Sequence, residues 1–375
     1  MRRGSHAWIR MLSKIRVTVT SKAFASFFRQ EFSGHFRNRV IGFSGFLALV
    51  NIGAWIWAIL AFHDKPLLLG TALLAYTFGL RHAVDADHIA AIDNVTRKLM
   101  QEGKRPVSVG FFFSLGHSTI VVIASLIVYA TASAFEKQID VIRQIGGVVG
   151  TSISAFFLIS IAVINIVILR GIWSTFQKVQ HGRGYTDQSS DMLLGGGILG
   201  RIFRPLFRML SSPWQMYPIG LLFGLGFDTA TEVALLGISA AAAAKGLSVE
   251  AMAVFPALFT AGMTLIDTTD GILMVGAYGW AFIKPIRKLY YNLTITFVSV
   301  VVALLIGGIE AGGLLKDQLN LSGGLWDLVG NLNDNFGTLG FVIIGVFVLS
   351  WIGSVIIYRL KGFDRAESLT GVTTD

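Results

Sequence analysis

Charged and imidazole side chains interrupt an apolar stretch at residues 67–95 that is long enough to cross a membrane. The interrupting segment reads Arg81-His82-Ala83-Val84-Asp85-Ala86-Asp87-His88. A charged side chain inside a bilayer costs at least about 2.5–3.5 kcal/mol on insertion scales, so such residues usually have a function. The segment therefore predicts a membrane protein with a functional site inside the membrane.

The composition of the whole chain agrees with this prediction. Of the 375 residues, 53% are hydrophobic and only 14% are charged, whereas soluble domains contain roughly 25% charged residues. The 42 glycines are typical of closely packed membrane helices. The chain has no cysteine, which excludes disulfides, thiolate metal sites, iron–sulfur clusters and cysteine nucleophiles.

The apolar runs predict an all-α integral membrane protein with eight transmembrane helices. These runs lie near 41–62, 67–95, 107–132, 145–169, 214–243, 251–281, 289–312 and 337–358. With eight spans, 25 Lys and Arg residues lie on one side of the membrane and five on the other. Because positive loops stay inside, we expect a multi-pass protein of the cell (inner) membrane with both termini in the cytoplasm.

The spans and loops divide the chain into five predicted parts. They are a basic cytoplasmic tail at 1–40, transmembrane helices 1–4 at 41–169, a cytoplasmic linker at 170–213, transmembrane helices 5–8 at 214–358, and a cytoplasmic tail at 359–375. The basic charge of these parts indicates topology and attraction to anionic membrane lipid, and nucleic acid is not an expected partner.

Two short matches between the halves predict an inverted repeat of spans 1–3 and 4–6. Phe78-Gly79-Leu80 matches Phe223-Gly224-Leu225, 145 residues later, and Phe113-Ser114-Leu115-Gly116 resembles Phe259-Thr260-Ala261-Gly262, 146 residues later. Transporters with inverted repeats bind substrate at the repeat interface near the middle of the membrane. Chance similarity between apolar segments is the alternative.

Polar residues also cluster in three further spans. Span 3 contains His117 between two serines. The carboxylates, hydroxyl and thioether of spans 5 and 6 are candidates for an ion path: Asp228, Glu232, Asp267, Asp270, Thr264 and Met263. Packing of polar residues between helices is the alternative explanation.

Helical geometry restricts how the span 2 residues can act together. At about 100° per residue, His82, Asp85 and His88 lie within an arc of about 120°, while Asp87 points about 140° away from His82. An unbroken helix therefore cannot direct all four side chains at one ion. Either the helix unwinds near Gly79, or Asp87 supports a ligand instead of binding the ion.

Three intramembrane histidines with carboxylates favour a divalent transition metal, because imidazole suits Zn, Cu, Fe and Ni. The residue types alone leave several functions open. A carrier of Zn²⁺, Fe²⁺ or Mn²⁺ fits, and a membrane haem or electron-transfer protein, or a sensor, fits less well because acids outnumber histidines. No Gly-x4-Gly-Lys-Ser/Thr motif occurs, so an ATPase subunit is not required by the sequence.

Four segments, in order, resemble the signatures of the nickel/cobalt transporter family. They are Arg81 to Ile89, Phe113-Ser114-Leu115-Gly116-His117-Ser118, Leu225-Gly226-Phe227-Asp228-Thr229-Ala230-Thr231-Glu232, and Gly262-Met263-Thr264-Leu265-Ile266-Asp267-Thr268-Thr269-Asp270-Gly271. The first segment carries the His-x4-Asp-His pattern of that family.

The resemblance implies a single-chain permease, and not an enzyme, that imports Ni²⁺ and/or Co²⁺ as substrate with no cofactor. It also implies that His82, Asp87 and His88 recognise the metal. We expect His117 to be a further ligand or relay, and Asp85 to orient an imidazole or complete the site.

Overall fold

The computed structural model describes residues 34–131, 136–180, 210–226, 229–281 and 285–360. Within these ranges the secondary structure is helical. The helices are α1 His35–Phe62, α2 Pro66–His82, α3 Ala86–Gln101, α4 Val109–Thr131, α5 Glu136–Gln180, α6 Met216–Phe223, α7 Ala230–Ala244, α8 Val249–Ala281, α9 Pro285–Leu319, α10 Gly324–Asp334 and α11 Phe336–Leu360, with a 3-10 turn at Pro213–Gln215.

Six of the described helices are long and apolar enough to cross a membrane: α1, α4, α5, α8, α9 and α11. Helices α2 and α3 pass the same test together and meet at a bend of 53°. In the region of the predicted fifth span lie two short helices, α6 and α7. An all-α membrane protein is thus confirmed, while a full set of eight spans stays a prediction.

Helix α8 packs against both α2 and α4, and its contact with α2 depends on glycine. A Cβ atom at Gly262 of α8 would lie 2.8 Å from the carbonyl oxygen of Tyr76 and 3.1 Å from the backbone nitrogen of Leu80. A Cβ at Gly79 of α2 would overlap the carbonyl oxygen of Phe259. The two backbones can approach this closely only because neither glycine has a side chain.

Helices α4 and α6 cross in the same manner. A Cβ at Gly116 of α4 would overlap the carbonyl oxygen of Tyr217 and lie 2.8 Å from the backbone nitrogen of Leu221. A Cβ at Gly220 of α6 would overlap the carbonyl oxygen of Phe113. Both crossings therefore use a Tyr-x-x-Gly-Leu segment on the shorter helix and a glycine three residues after a phenylalanine on the longer one.

The chain breaks between α2 and α3 at residues 83–85, which form a turn. Asp85 precedes α3 in an extended conformation, with φ −67° and ψ 147°. Helix α11 approaches the break closely, since a Cβ at Gly340 would overlap the carbonyl oxygen of Val84. Unwinding near Gly79, one of the two alternatives drawn from the sequence, does not occur, because Gly79 lies within α2 and serves the crossing with α8.

The outer helices carry the lipid-facing surface. In the most apolar 18-residue stretch of each helix, only 22% of α1 and 18% of α11 is buried. Exposed apolar side chains such as Leu49 and Phe341 lie on the surfaces of these two helices. Helix α5 is unusually long, with 45 residues, and packs mainly against α9. It continues to Gln180, so the predicted linker begins inside this helix, and residues 181–209 of that linker lie outside the described ranges.

Candidate metal centre

Three buried imidazoles meet at the break between α2 and α3. The ring centroids of His82, His88 and His117 lie 4.7, 4.8 and 4.9 Å apart pairwise. One ligand nitrogen from each ring can be chosen so that all three lie within 4.8 Å of one another. The sequence predicted these three residues, and the structure brings them together.

The break makes this convergence possible. His82 is the last residue of α2, and His88 lies in the first turn of α3 on the other side of the bend. His117 comes from the middle of α4. A bend between the first two histidines changes the direction of the chain, so their side chains need not share the face of one straight helix.

The contacts of His117 favour a cation or a shared proton at the centre. Its Nε2 lies 3.0 Å from Nε2 of His82 and 2.8 Å from Oε1 of Glu232 on α7. A neutral imidazole carries a proton on only one of its nitrogens. Two Nε2 atoms at this distance therefore need either a proton or a cation between them.

Hydroxyl and carboxylate groups surround the other nitrogen of His82. Oγ1 of Thr229 lies 3.2 Å from Nδ1, and Oγ1 of Thr231 lies 3.4 Å away. Oδ2 of Asp85 is closer, at 2.9 Å, but this atom forms no hydrogen bond of good geometry within the described ranges. The Thr229 hydroxyl also donates to Oε2 of Glu232 at 3.1 Å. The contacts of Thr229 and Thr231 with His82, and of Glu232 with His117, place the start of α7 against the histidine centre.

His88 is held by Asp267 of α8. Its Nδ1 lies 3.3 Å from Oδ2 of Asp267, and the Ser114 hydroxyl of α4 donates to the same oxygen at 2.5 Å. Carboxylates that bond one nitrogen of a ligating histidine fix its tautomer and direct the other nitrogen at the metal. Asp267, predicted as part of an ion path, is therefore placed to orient His88.

Several buried nitrogen and oxygen atoms at this centre lack a hydrogen bond among the residues that the structure describes. They are Nε2 of His88, Nδ1 of His117, Oδ2 of Asp85 and Oδ1 of Asp267. Buried polar atoms are normally paired, and each exception calls for an explanation. A divalent ion bound by imidazole nitrogens and carboxylate oxygens supplies one, since these groups suit nickel and its neighbours.

The remaining predicted residues take different positions. Met263 is fully buried, with its sulfur 3.5 Å from the Ser118 hydroxyl, while the Thr264 hydroxyl donates to carbonyl oxygens of its own helix. Asp270 has a buried oxygen with no hydrogen bond in the described chain. Asp87 is only partly buried and lines a neighbouring cavity. Asp228 lies outside the described residues.

A second buried polar network was not predicted. Arg97 of α3, 1% exposed, donates to Oδ1 of Asn94 and to the Thr296 hydroxyl of α9, each at 3.0 Å. One turn away, Asp93 accepts hydrogen bonds from Tyr278 and from Ser299. Arg97 follows the apolar run and was therefore expected in a loop, although it lies within the bent helix pair.

A family model described as high-affinity nickel-transport protein matches residues 68–357. The chain belongs to the high-affinity nickel-transport family. The matched residues include the histidine centre and all but the first of the candidate spans. Members of this family are transporters, so the protein is a nickel transporter and not an enzyme, as the sequence analysis predicted.

Individual members of the nickel-transport family match over most of their length. A high-affinity nickel transport protein of Cupriavidus necator is 56% identical over 340 residues, which cover 90% of this chain and 97% of the relative. The nickel transporter NicT of Mycobacterium tuberculosis is 47% identical, covering 80% and 82%. The cobalt transport protein NhlF of Rhodococcus rhodochrous is 41% identical, covering 78% and 84%. No solved structure matches the chain significantly.

Proposed function

We propose that the protein imports Ni²⁺, and also Co²⁺, into the cytoplasm through the histidine centre. The observation that carries this proposal is the meeting of three buried imidazoles from α2, α3 and α4. Names of relatives include both nickel and cobalt transport, and the two ions share a preference for imidazole. Carriage of Zn²⁺, Fe²⁺ or Mn²⁺ is the alternative, and a competition assay with each metal at low concentration distinguishes these cargoes.

The contacts of the described residues support the following proposed roles. His82, His88 and His117 bind the ion through imidazole nitrogens, and Glu232 and Asp267 fix the orientation of His117 and His88. Asp85 supplies a carboxylate oxygen next to His82. Asp87, which the family resemblance favours as a ligand, faces the cavity beside the centre and meets the ion on its way in.

We also propose that spans 1–3 and 4–6 form an inverted repeat around the centre, with α6 and α7 together as the fifth of eight spans. The matching glycine contacts of the two crossings support this arrangement. They favour an alignment of Tyr76 with Tyr217, which pairs Gly79 with Gly220. The sequence match instead pairs Gly79 with Gly224, one helical turn later in the chain. His88 and Glu232 are each the third residue of their helix, α3 and α7, and both lie at the centre, so both repeats contribute to it.

Single cysteines test the proposed topology, since the chain has none of its own. Asp327→Cys on α10 is expected to react with a membrane-impermeant maleimide in intact cells. Glu102→Cys, after α3, is expected to react only after permeabilisation, because the charge distribution places that loop in the cytoplasm. Labelling of both positions from the same side would overturn the eight-span arrangement with cytoplasmic termini.

The energy for import can come from the membrane potential. Two charges moving through 100 mV gain about 4.6 kcal/mol, which supports a gradient of roughly three orders of magnitude. Glu232, Asp267 and Asp270, with Asp228, lend negative charge to the path and exchange protons for the ion as it passes. Asp267 and Asp270 are three residues apart on α8 and therefore lie on the same side of that helix, which supports a shared role along the path.

Proteoliposomes with a membrane potential, no pH gradient and an internal pH dye test the exchange. We expect nickel entry to move protons outward, because the carboxylates along the path release protons when a dication replaces them. The control is the same vesicle without protein. Nickel entry with no change of internal pH would reject the exchange and leave the potential as the sole drive.

A further inference from the structure

A cavity of about 290 Å³ lies next to the histidine centre. It is bounded by the break between α2 and α3, the start of α7, helix α9, the end of α10 and the start of α11. Under the proposed topology, α10 lies on the outer side of the membrane. The cavity then forms a vestibule between the outside and the histidine centre.

The vestibule is strongly acidic. Four carboxylates line it, those of Asp85, Asp87, Glu310 and Asp334, against the single guanidinium of Arg81. Glu310 and Asp334 belong to the second half of the chain and lie outside the segments that resemble family signatures. Glu310 was not among the predicted site residues, although it is a carboxylate inside the predicted seventh span.

Two observations connect the vestibule to a ligand and to the centre. Glu310 is 3% exposed, and the Ser154 hydroxyl of α5 contacts its two carboxylate oxygens at 2.8 and 2.9 Å, which fixes its position. Asp85 is 1% exposed, and its Oδ2 has no hydrogen bond within the described ranges although it is buried. The same oxygen lies 2.9 Å from Nδ1 of His82, so Asp85 borders both the vestibule and the centre.

We propose that the vestibule is a capture site for a hydrated divalent cation, which Glu310 and Asp334 hold before it reaches the histidines. This proposal rests on the proposed import function. Carboxylate oxygens bind a hydrated dication through its water, and about 290 Å³ accommodates an ion with most of its water shell, at roughly 30 Å³ per water. The imidazoles then replace that water. The acids therefore determine the ion concentration needed for capture, and the histidines determine the rate of passage.

Transport kinetics of conservative variants test the capture role. A cleft of one charge sign raises the local concentration of counterions roughly 10- to 1,000-fold. We therefore expect Glu310→Gln and Asp334→Asn each to raise the KM for Ni²⁺ uptake about three- to tenfold, with less than a twofold fall in Vmax. The matched control is Asp327→Asn, an exposed residue of the same helix as Asp334 that does not line the vestibule.

The outcomes separate this proposal from the import function. Loss of uptake in His88→Ala together with wild-type KM in Asp334→Asn would overturn the capture site and leave the function standing. Persistent uptake in His88→Ala would instead remove the histidine centre from the transport path and overturn the proposed route. Asp334 is exposed, so its variant does not depend on whether a change at the buried Glu310 is tolerated during folding.

The potential in the vestibule can also be measured without nickel. Asn333→Cys introduces a single thiol at the vestibule wall. The quantity measured is the rate of modification by a cationic methanethiosulfonate reagent divided by the rate with an anionic one. This ratio is expected to be at least about fivefold higher for Asn333→Cys than for Asp327→Cys. Adding Glu310→Gln should lower that ratio. Equal ratios at the two positions would contradict an acidic capture site.

Discussion

Nickel uptake is expected to fall at least about 100-fold when His82 or His88 is replaced by alanine. Each substitution removes one of three imidazoles that meet within 4.8 Å. Changes to groups that merely support a metal ligand already cost 10- to 100-fold in affinity or activity, so loss of a ligand costs more. The measurement is accumulation of radioactive nickel in cells, normalised to the amount of protein in the membrane.

The matched control for these variants is His63→Ala. His63 is exposed at the end of α1, and its ring contacts a carbonyl oxygen of its own helix. We expect wild-type uptake from this variant. Wild-type uptake from His82→Ala and His88→Ala, at equal abundance, would remove the histidine centre from the transport path.

Thermal stability in detergent is expected to drop in Gly116→Ala and in Gly262→Ala. The added methyl group meets backbone atoms of a neighbouring helix, Tyr217 in one case and Tyr76 in the other. Backbone atoms cannot rotate away as a flexible side chain can, and overpacking costs about 1–3 kcal/mol. The midpoint of thermal unfolding, followed by size-exclusion chromatography of heated samples, should fall by several degrees in both variants.

Gly237→Ala provides the contrast for this prediction. Gly237 lies inside α7, and no described heavy atom outside its own helix would come within 4 Å of an added Cβ. Alanine there is expected to be neutral or to stabilise by up to about 1 kcal/mol through its better helix propensity. If Gly116→Ala were as stable as Gly237→Ala, the close crossing of α4 and α6 would be wrong.

Much of the architecture could be predicted because the membrane restricts a chain so strongly. Apolar runs identified the helices, and charged residues within them identified the site, since both follow from the cost of polar groups in lipid. His82, His88 and His117 were predicted and do meet. The resemblance to nickel/cobalt transporters, based on four short segments, agrees with the family match.

What the sequence did not show depends on contacts between distant segments. The break lies at residues 83–85 and not near Gly79, because Gly79 is needed where α2 crosses α8. A helical projection assumes one straight helix, so it could not show that Asp267, from α8, would hold His88. Glu310 and Arg97 were overlooked because each lies near the end of an apolar run, where a sequence pattern does not separate span from loop.

The most direct test of the histidine centre is nickel X-ray absorption spectroscopy on the purified protein with one equivalent of Ni²⁺. We predict a nitrogen and oxygen coordination shell with multiple scattering from two to three imidazoles, reduced in His88→Ala and in His117→Ala but unchanged in His63→Ala. A coordination shell without imidazole, or the same spectrum from all of these proteins, would contradict the account.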